Sequence, residues 1–392
     1  MSTAAGPNSK GENSLVFAFD LADTKNSYIG EPAVNLQANG SAVGHNSGGY
    51  GNVVTVVNAP EKGLGWKKVT ISNRGSNFRI IQFTYTSMTA NIMYCHSAVF
   101  DWGNMRGKGY YINHDGNGTG QRAFYKPGNY TAAQGGSVSI NSSLEDGKLA
   151  GTIIHTASHT HAFFINNSTS GVSGLNDYFY YKEYQVEANT HPTPYTSGTR
   201  LATESLLDLI GSNSINLSNM SFDSNAQMIF DGTNDQFVIS DPQVSTTFSI
   251  EIVIKVNDYS NAPIFISPAS VGIDHFFRIA NTGTISARFV EVADSATDNY
   301  ISSTVLNPEN YYHVVISKSP SNGTLYVNGV AEDSHAPTLP AAAWSADWRI
   351  GARWNSTYWF NGELPMVKVY NKALSAEEVV ANFQVTRKRF NI

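Results

Sequence analysis

The stretch YYHVVISKSPSNGTLYVNGV, residues 311–330, decides the fold. Tyr312-His313-Val314-Val315-Ile316 has the alternating, β-branched composition of a half-buried strand. Asn322-Gly323 and Asn328-Gly329 are dipeptides of the hairpin type, because tight turns between antiparallel strands need residues that tolerate positive φ. The stretch therefore reads strand, turn, strand. Similar runs recur at Phe78-Arg79-Ile80-Ile81-Gln82-Phe83 and Phe248-Ser249-Ile250-Glu251-Ile252-Val253-Ile254, and Asp231-Gly232 adds another hairpin-type dipeptide. Runs of this kind bounded by Gly, Asn and Pro predict antiparallel sandwiches.

Composition agrees. The chain has 392 residues, long enough for two domains with their own cores, and only 14% are charged while 33 are glycine. Many short strands joined by turns fit these numbers better than long helices. The net charge of −6 gives no general attraction to nucleic acid or to an anionic bilayer. The run Arg387-Lys388-Arg389 reads as cations complementing a helix C-terminus.

The opening MSTAAGPNSKGENS lacks the basic and apolar regions of a secretory leader, and no apolar run approaches the ~18 residues that span a bilayer, so no membrane insertion is expected. Residues 1–12 read as a flexible polar arm. One cysteine, Cys95, excludes an internal disulfide framework, and synthesis in a reducing cytoplasm is the simplest expectation.

One helix is predicted, close to the C-terminal end. Ser375-Ala376-Glu377-Glu378 is a capping box, and Val379, Val380 and Phe383 follow as an apolar stripe. The segment HPTPYTSGTR, residues 191–200, has two prolines, a glycine and no apolar periodicity, and reads as a connector.

Four blocks in order, FDGTNDQFVI (230–239), FSIEIVIKV (248–256), 311–330 and FNGELPMVKVYNKALSAEEVVANF (360–383), resemble a laminin-G-like or concanavalin-A-like jelly-roll sandwich. A second resemblance lies in SLVFAFDLADTKNSYIGEPAVNL (14–36), QVEANTHPTPYTSGTR (185–200) and YNKALSAEEVVANFQVTRKRF (370–390), which are similar to tail-fibre and other virion proteins of tailed bacteriophages. In simpler relatives of that type the opening strand runs almost directly into a segment like LLDLIGSNSINL (206–217). Together these imply an all-β chain of two antiparallel β-sandwich (jelly-roll) domains and one short C-terminal helix. Residues 13–31 plus 198–392 are expected to form a discontinuous laminin-G-like sandwich, with 32–197 inserted as a jelly roll resembling carbohydrate-binding modules. A plain tandem of two domains is the alternative.

Four of the six tryptophans fall in WSADWRIGARWNSTYWFNG, residues 344–362. Trp348, Ile350 and Ala352 share one strand face, which assigns Trp348 to the core, and Phe360 and Leu364 continue a buried pattern. Between them, Arg353, Trp354, Asn355, Tyr358 and Trp359 fall on a predicted rim loop as candidate glycan-binding residues, with rings for stacking and polar groups for hydrogen bonds. The same rings could equally bury a subunit interface or plug the sandwich end.

Other candidates reduce to ordinary chemistry. His155, His159 and His161 share parity, and His159-Thr160-His161 resembles the pairs that bind iron between chains in some phage fibres, but nothing nearby completes a set within one chain, so no metal ligand is assigned. Calcium, often held by loop carboxylates in laminin-G-like sandwiches, would draw on Asp231 and Asp235; Asp in turns is also routine backbone chemistry. Asp115-Gly116-Asn117-Gly118 lacks the closing Glu of an EF-hand loop. Glu183 and Glu187 in Glu183-Tyr184-Gln185-Val186-Glu187 would sit roughly 13 Å apart on an extended strand, too far for a retaining pair at about 5.5 Å. No nucleophile elbow, phosphate loop or zinc spacing is present, and no cofactor or enzymatic activity is expected.

The phage resemblance implies a virion protein made in the host cytoplasm, a host-adhesion or surface-decoration module binding host surface polysaccharide beside other virion proteins. The other role it leaves open is purely architectural, a capsid decoration or tail/baseplate component. It also implies a homo-oligomer, with a trimer as the expected state. A fibre shaft is not expected, since heptads, collagen-like triplets and fibre repeats are lacking.

Overall fold

A computed structural model describes residues 13–36, 42–43, 53–73, 79–84, 89, 92–105, 110–115, 122–126, 129–134, 140–142, 147–154, 161–167, 176–211, 213–269, 275–290, 297–337 and 346–392. The arm 1–12, His155, His159 and Gly116–Gly118 lie outside them. The strands among the described residues pair antiparallel, and one α-helix, Ala376–Phe390, lies near the C-terminal end. The chain divides into two compact units, one of residues 1–32, 201–223 and 227–392, the other of 33–200 with 224–226.

Among the described residues of the first unit, eight strands form one sheet and six the other. The centre of the larger sheet is Phe248–Asp258, flanked by Asn361–Tyr370 and Tyr311–Lys318. Leu15–Asp20 joins it antiparallel to Asn361–Tyr370, with Phe19 opposite Val367 and Asp20 opposite Met366. That pairing satisfies backbone groups that either strand would otherwise leave open. The smaller sheet runs Phe237–Ile239, Trp348–Ile350, Ile264–Pro268, Phe276–Ile279, Thr284–Val290 and Thr297–Val305.

The sheets enclose one apolar core. Phe17, Phe19, Phe230, Phe265, Trp348, Phe360 and Leu364 all lie in it, and Phe360 meets Phe230 edge-on at 5.4 Å between ring centres. Trp348, Ile350 and Ala352 are buried together, as their shared parity requires.

Turn chemistry divides the three expected hairpins. Asn328 and Gly329 both have positive φ (50° and 78°) and join Val327 directly to Val330, a two-residue hairpin. Asn322-Gly323 does not sit at a turn centre. Residues 319–322 make the loop, and Gly323 opens the next strand where a Cβ would strike the Tyr300 ring. Asp231-Gly232 is not in a hairpin; it carries the chain from the larger sheet to the smaller, and Asp231 Oδ1 accepts from the Thr233 amide at 2.7 Å.

The helix begins with the expected reciprocal cap: Ser375 accepts from the Glu378 amide at 3.3 Å while Glu378 accepts from the Ser375 amide at 2.9 Å. Arg387, Lys388 and Arg389 occupy its last turn. Val379 is fully buried, but Val380 is 42% exposed, because the side facing the sheet continues through Asn382, Phe383 and Thr386. Beneath the helix the fully buried Glu251 accepts from His313 Nε2 (3.1 Å), Lys368 Nζ (3.4 Å), the Tyr370 hydroxyl (2.7 Å) and Asn382 Nδ2 (2.8 Å). Burial alone would raise this carboxyl; the positive charge of Lys368 and the contacts from His313 and Tyr370 outweigh it and hold the pKa at about 2.

In the second unit, two six-stranded sheets are formed among the described residues, with a short pairing of Ala33–Val34 and Thr199–Arg200. Phe100, Trp102 and Phe179 are buried together, the first two stacked at 5.1 Å. His161 opens the strand His161–Asn167. The segment 191–200 is held by hydrogen bonds to the strand before it. Glu187 accepts from the Thr193 amide and hydroxyl, both at 2.8 Å, and Gln185 Oε1 accepts from the Thr196 amide at 2.8 Å.

Candidate functional site

Residues 351–360 carry the chain from the smaller sheet of the first unit to the larger. Gly351 N donates to Phe265 O (3.0 Å) and Phe360 N donates to Gly351 O (2.8 Å), so both ends of the excursion are fixed. Within it, Arg353 N donates to Thr357 O and Ser356 N to Arg353 O, each at 2.9 Å. Ser356 and Tyr358 take left-handed backbone conformations, φ 55° and 54°. Those two reversals turn the side chains away from the strand alternation on either side, leaving polar and aromatic groups at the rim.

The five residues selected from the sequence separate into two groups. The Arg353 guanidinium lies 5.9 Å from the Trp354 ring centre and 5.7 Å from that of Tyr358, a cation within reach of two π-systems. Tyr358 is 46% exposed and Trp354 half-buried. Asn355 is exposed, and its Oδ1 accepts from the Thr357 hydroxyl at 2.6 Å. Trp359, also half-buried, lines an open groove of about 450 Å³ with Ser218, Asn219, Met220, Ser221, Asn234, Asp235 and Gln236.

Sequence reasoning did not connect the groove residues, because apart from Trp359 they come from two separate segments, 218–221 and 234–236, with no periodicity to link them. Gln236 accepts from Arg349 Nη1, which also donates to Ser356 Oγ at 3.4 Å, so one guanidinium ties the groove wall to the loop. Burial lowers the Arg349 pKa from its usual value. Asp235 is buried, with one oxygen accepting from the Ser221 amide (2.8 Å) and the other from the Asp231 amide (2.6 Å). Burial pushes this carboxyl up, and the neighbouring Asp231 adds to the rise. Both aspartates considered for calcium thus bind backbone amides. Among the described residues, no group of three or more His, Cys, Asp or Glu side chains is placed to hold a metal ion.

The carboxylate pair of the second unit departs from the expected geometry. Glu183 has φ 55°, and the register slips between Lys182 and Gln185, so the strand does not keep its alternation across residues 183–187. Glu183 pairs with Lys182 at 2.6 Å, while Glu187 is buried and accepts from Gln185 Nε2 and Thr193. The two carboxylates have separate local partners.

No helix among the described residues is long and apolar enough to cross a membrane. No curated protein sequence matches the chain. Among solved structures, the chain is similar to the botulinum neurotoxin type G receptor-binding domain (14% identity, TM-score 0.38, 47% of this chain and 49% of that one). The alignment thus spans about half of that protein's length. It is also similar to domain 4 of AbnA, an extracellular arabinanase from Geobacillus stearothermophilus, in complex with arabinotriose (16%, TM-score 0.34, 44% and 82%). A third is a SAP-like pentraxin from Limulus polyphemus (18%, TM-score 0.31, 39% and 78%). Residues 231–380, less than half of the chain, match the family model described as the concanavalin A-like lectin/glucanases superfamily, so this stretch is similar to laminin-G-like, concanavalin A-like sandwich domains.

Proposed function

We propose that this chain is a non-catalytic glycan-binding protein whose contact surface is the rim loop 353–359. The observation that carries the proposal is Arg353 within about 6 Å of both the Trp354 and Tyr358 rings, on the loop whose Trp359 borders the groove. Indole and phenol rings offer flat apolar faces to a sugar, and nearby amides and hydroxyls offer hydrogen bonds to its substituents. Glu187, the carboxylate in the nearest approach to a glycanase motif, is occupied by the turn that follows it.

The proposed setting is the bacteriophage virion, where the protein acts in host adhesion or surface decoration beside other virion proteins. Similarity of residues 14–36, 185–200 and 370–390 to tailed-phage virion proteins supports this setting. In this reading the unit of residues 33–200 is an inserted module, and the copies form a homo-oligomer. Weak single sites on one particle then act together, which raises avidity without a new contact.

The test is a glycan array probed with the purified chain. Binding to cell-surface polysaccharides, lost in Trp354→Ala and Trp359→Ala while both variants remain folded, is the expected result. Absence of binding, with these rings buried between subunits in a map of the particle, would replace adhesion with a purely architectural role.

A further inference from the structure

The groove beside Trp359 has a chemistry of its own. Ser218, Asn219 and Asn234 are exposed on turns at its edge, and Gln236 is fixed at its wall by Arg349. These groups are hydroxyls and carboxamides, which both donate and accept hydrogen bonds, as sugar hydroxyls do. No lysine or arginine is among the lining residues, and the one acidic group, Asp235, turns both oxygens to backbone amides. A carboxylated or sulfated sugar entering here would lose hydration with no cation in the lining to compensate. A volume of about 450 Å³ lies within the range of small-molecule sites, roughly 300–1,000 Å³.

We infer that this groove is a subsite for a neutral, hydroxyl-rich sugar residue, with Trp359 as its stacking wall and Asn219, Asn234 and Gln236 as its hydrogen-bonding groups. The inference rests on the glycan-binding reading above and specifies the class of sugar. Trp359 serves both surfaces, so a chain of sugars passes from the groove onto the Trp354–Tyr358 face. Arg349 positions Gln236 without lining the groove itself.

The experiment is calorimetric titration of the full chain with cellohexaose, maltohexaose, mannohexaose and hexagalacturonate, repeated for Asn219→Ala, Asn234→Ala, Asn234→Lys and Trp354→Ala. Circular dichroism melts establish that each variant is folded. The expected result is binding of at least one neutral hexasaccharide, weakened about tenfold by Asn219→Ala or Asn234→Ala, and weaker binding of hexagalacturonate. Asn234→Lys narrows or reverses that preference by bringing a cation to the groove edge. Neutral binding abolished by Trp354→Ala but untouched at Asn219 and Asn234 overturns the groove while leaving the rim loop as the glycan surface. Hexagalacturonate binding most tightly overturns the neutral class. Binding of none of the four probes overturns the inference together with the reading beneath it.

Discussion

His313 Nε2 lies 3.1 Å from Glu251 Oε1, and both side chains are wholly removed from solvent. Two adjacent strands place them on the face of the larger sheet that the C-terminal helix covers, where Asn382 reaches the same carboxylate from above. Glu251→Ala leaves Lys368 and His313 facing a void, so a loss of about 3–5 kcal/mol is expected in urea unfolding. Helix content, followed by far-ultraviolet circular dichroism, falls with it.

The same carboxylate sets an acid limit. Its folded pKa of about 2 lies below the ordinary 4.5, so the unfolded chain binds the proton more readily than the folded one. Its contribution is complete above pH 4.5 and is lost as the pH falls toward 2. Glu251→Gln flattens that part of the stability–pH curve, measured as unfolding midpoints across the window.

Trp348 and Trp354 are six positions apart and respond oppositely. Trp348 is fully buried, so Trp348→Ala costs about 3–5 kcal/mol through lost burial and a cavity. Trp354→Ala, on the rim, changes stability by about 0.5 kcal/mol or less. Chemical denaturation of the two variants side by side measures the difference.

Gly351 has φ 99°, and a Cβ there would lie 2.5 Å from Phe230 Cε1 and 2.6 Å from the Asp235 carbonyl oxygen. A backbone carbonyl cannot yield as a flexible side chain can, so Gly351→Ala is expected to cost about 2–4 kcal/mol from strain and overpacking. Because Gly351 anchors the rim loop and abuts Asp235, the variant is also expected to weaken glycan binding. Thermal melts and array binding read the two effects separately.

Removing residues 1–20 strips Leu15–Asp20 from Asn361–Tyr370 and leaves a row of unpaired donors and acceptors along Met366–Tyr370. It also takes Phe17 and Phe19 from the core. The truncated chain is expected to elute as aggregate in size-exclusion chromatography.

Local rules in the sequence located what depends on local geometry. Shared parity with Ile350 and Ala352 put Trp348 in the core and the loop reading of 353–359 set Trp354 apart, the Ser375–Glu378 pair marked the helix start, and Asn328-Gly329 named a turn whose φ values only such residues accept easily. Asn322-Gly323 does mark the hairpin between Tyr311–Lys318 and Gly323–Val327, although its glycine opens the second strand and answers to Tyr300, a neighbour distant in sequence. Asp231-Gly232 misled because a tight turn says nothing about which sheet the next strand enters. The alternation expected from Glu183 to Glu187 breaks where Glu183 takes a left-handed conformation, a local event without a composition signal. The groove was invisible for a related reason: Asn219, Asn234 and Trp359 meet only after the sheets have closed, and polar residues on separate turns carry no period.

Pairing Phe19 with Val367 has a consequence for biosynthesis. The first strand of this sandwich leaves the ribosome long before its partner exists, and residues 33–200 can complete their own unit while it waits. A nascent chain therefore carries Phe17 and Phe19 without their partner strand until translation has passed Tyr370, about 350 residues after the first strand has been made.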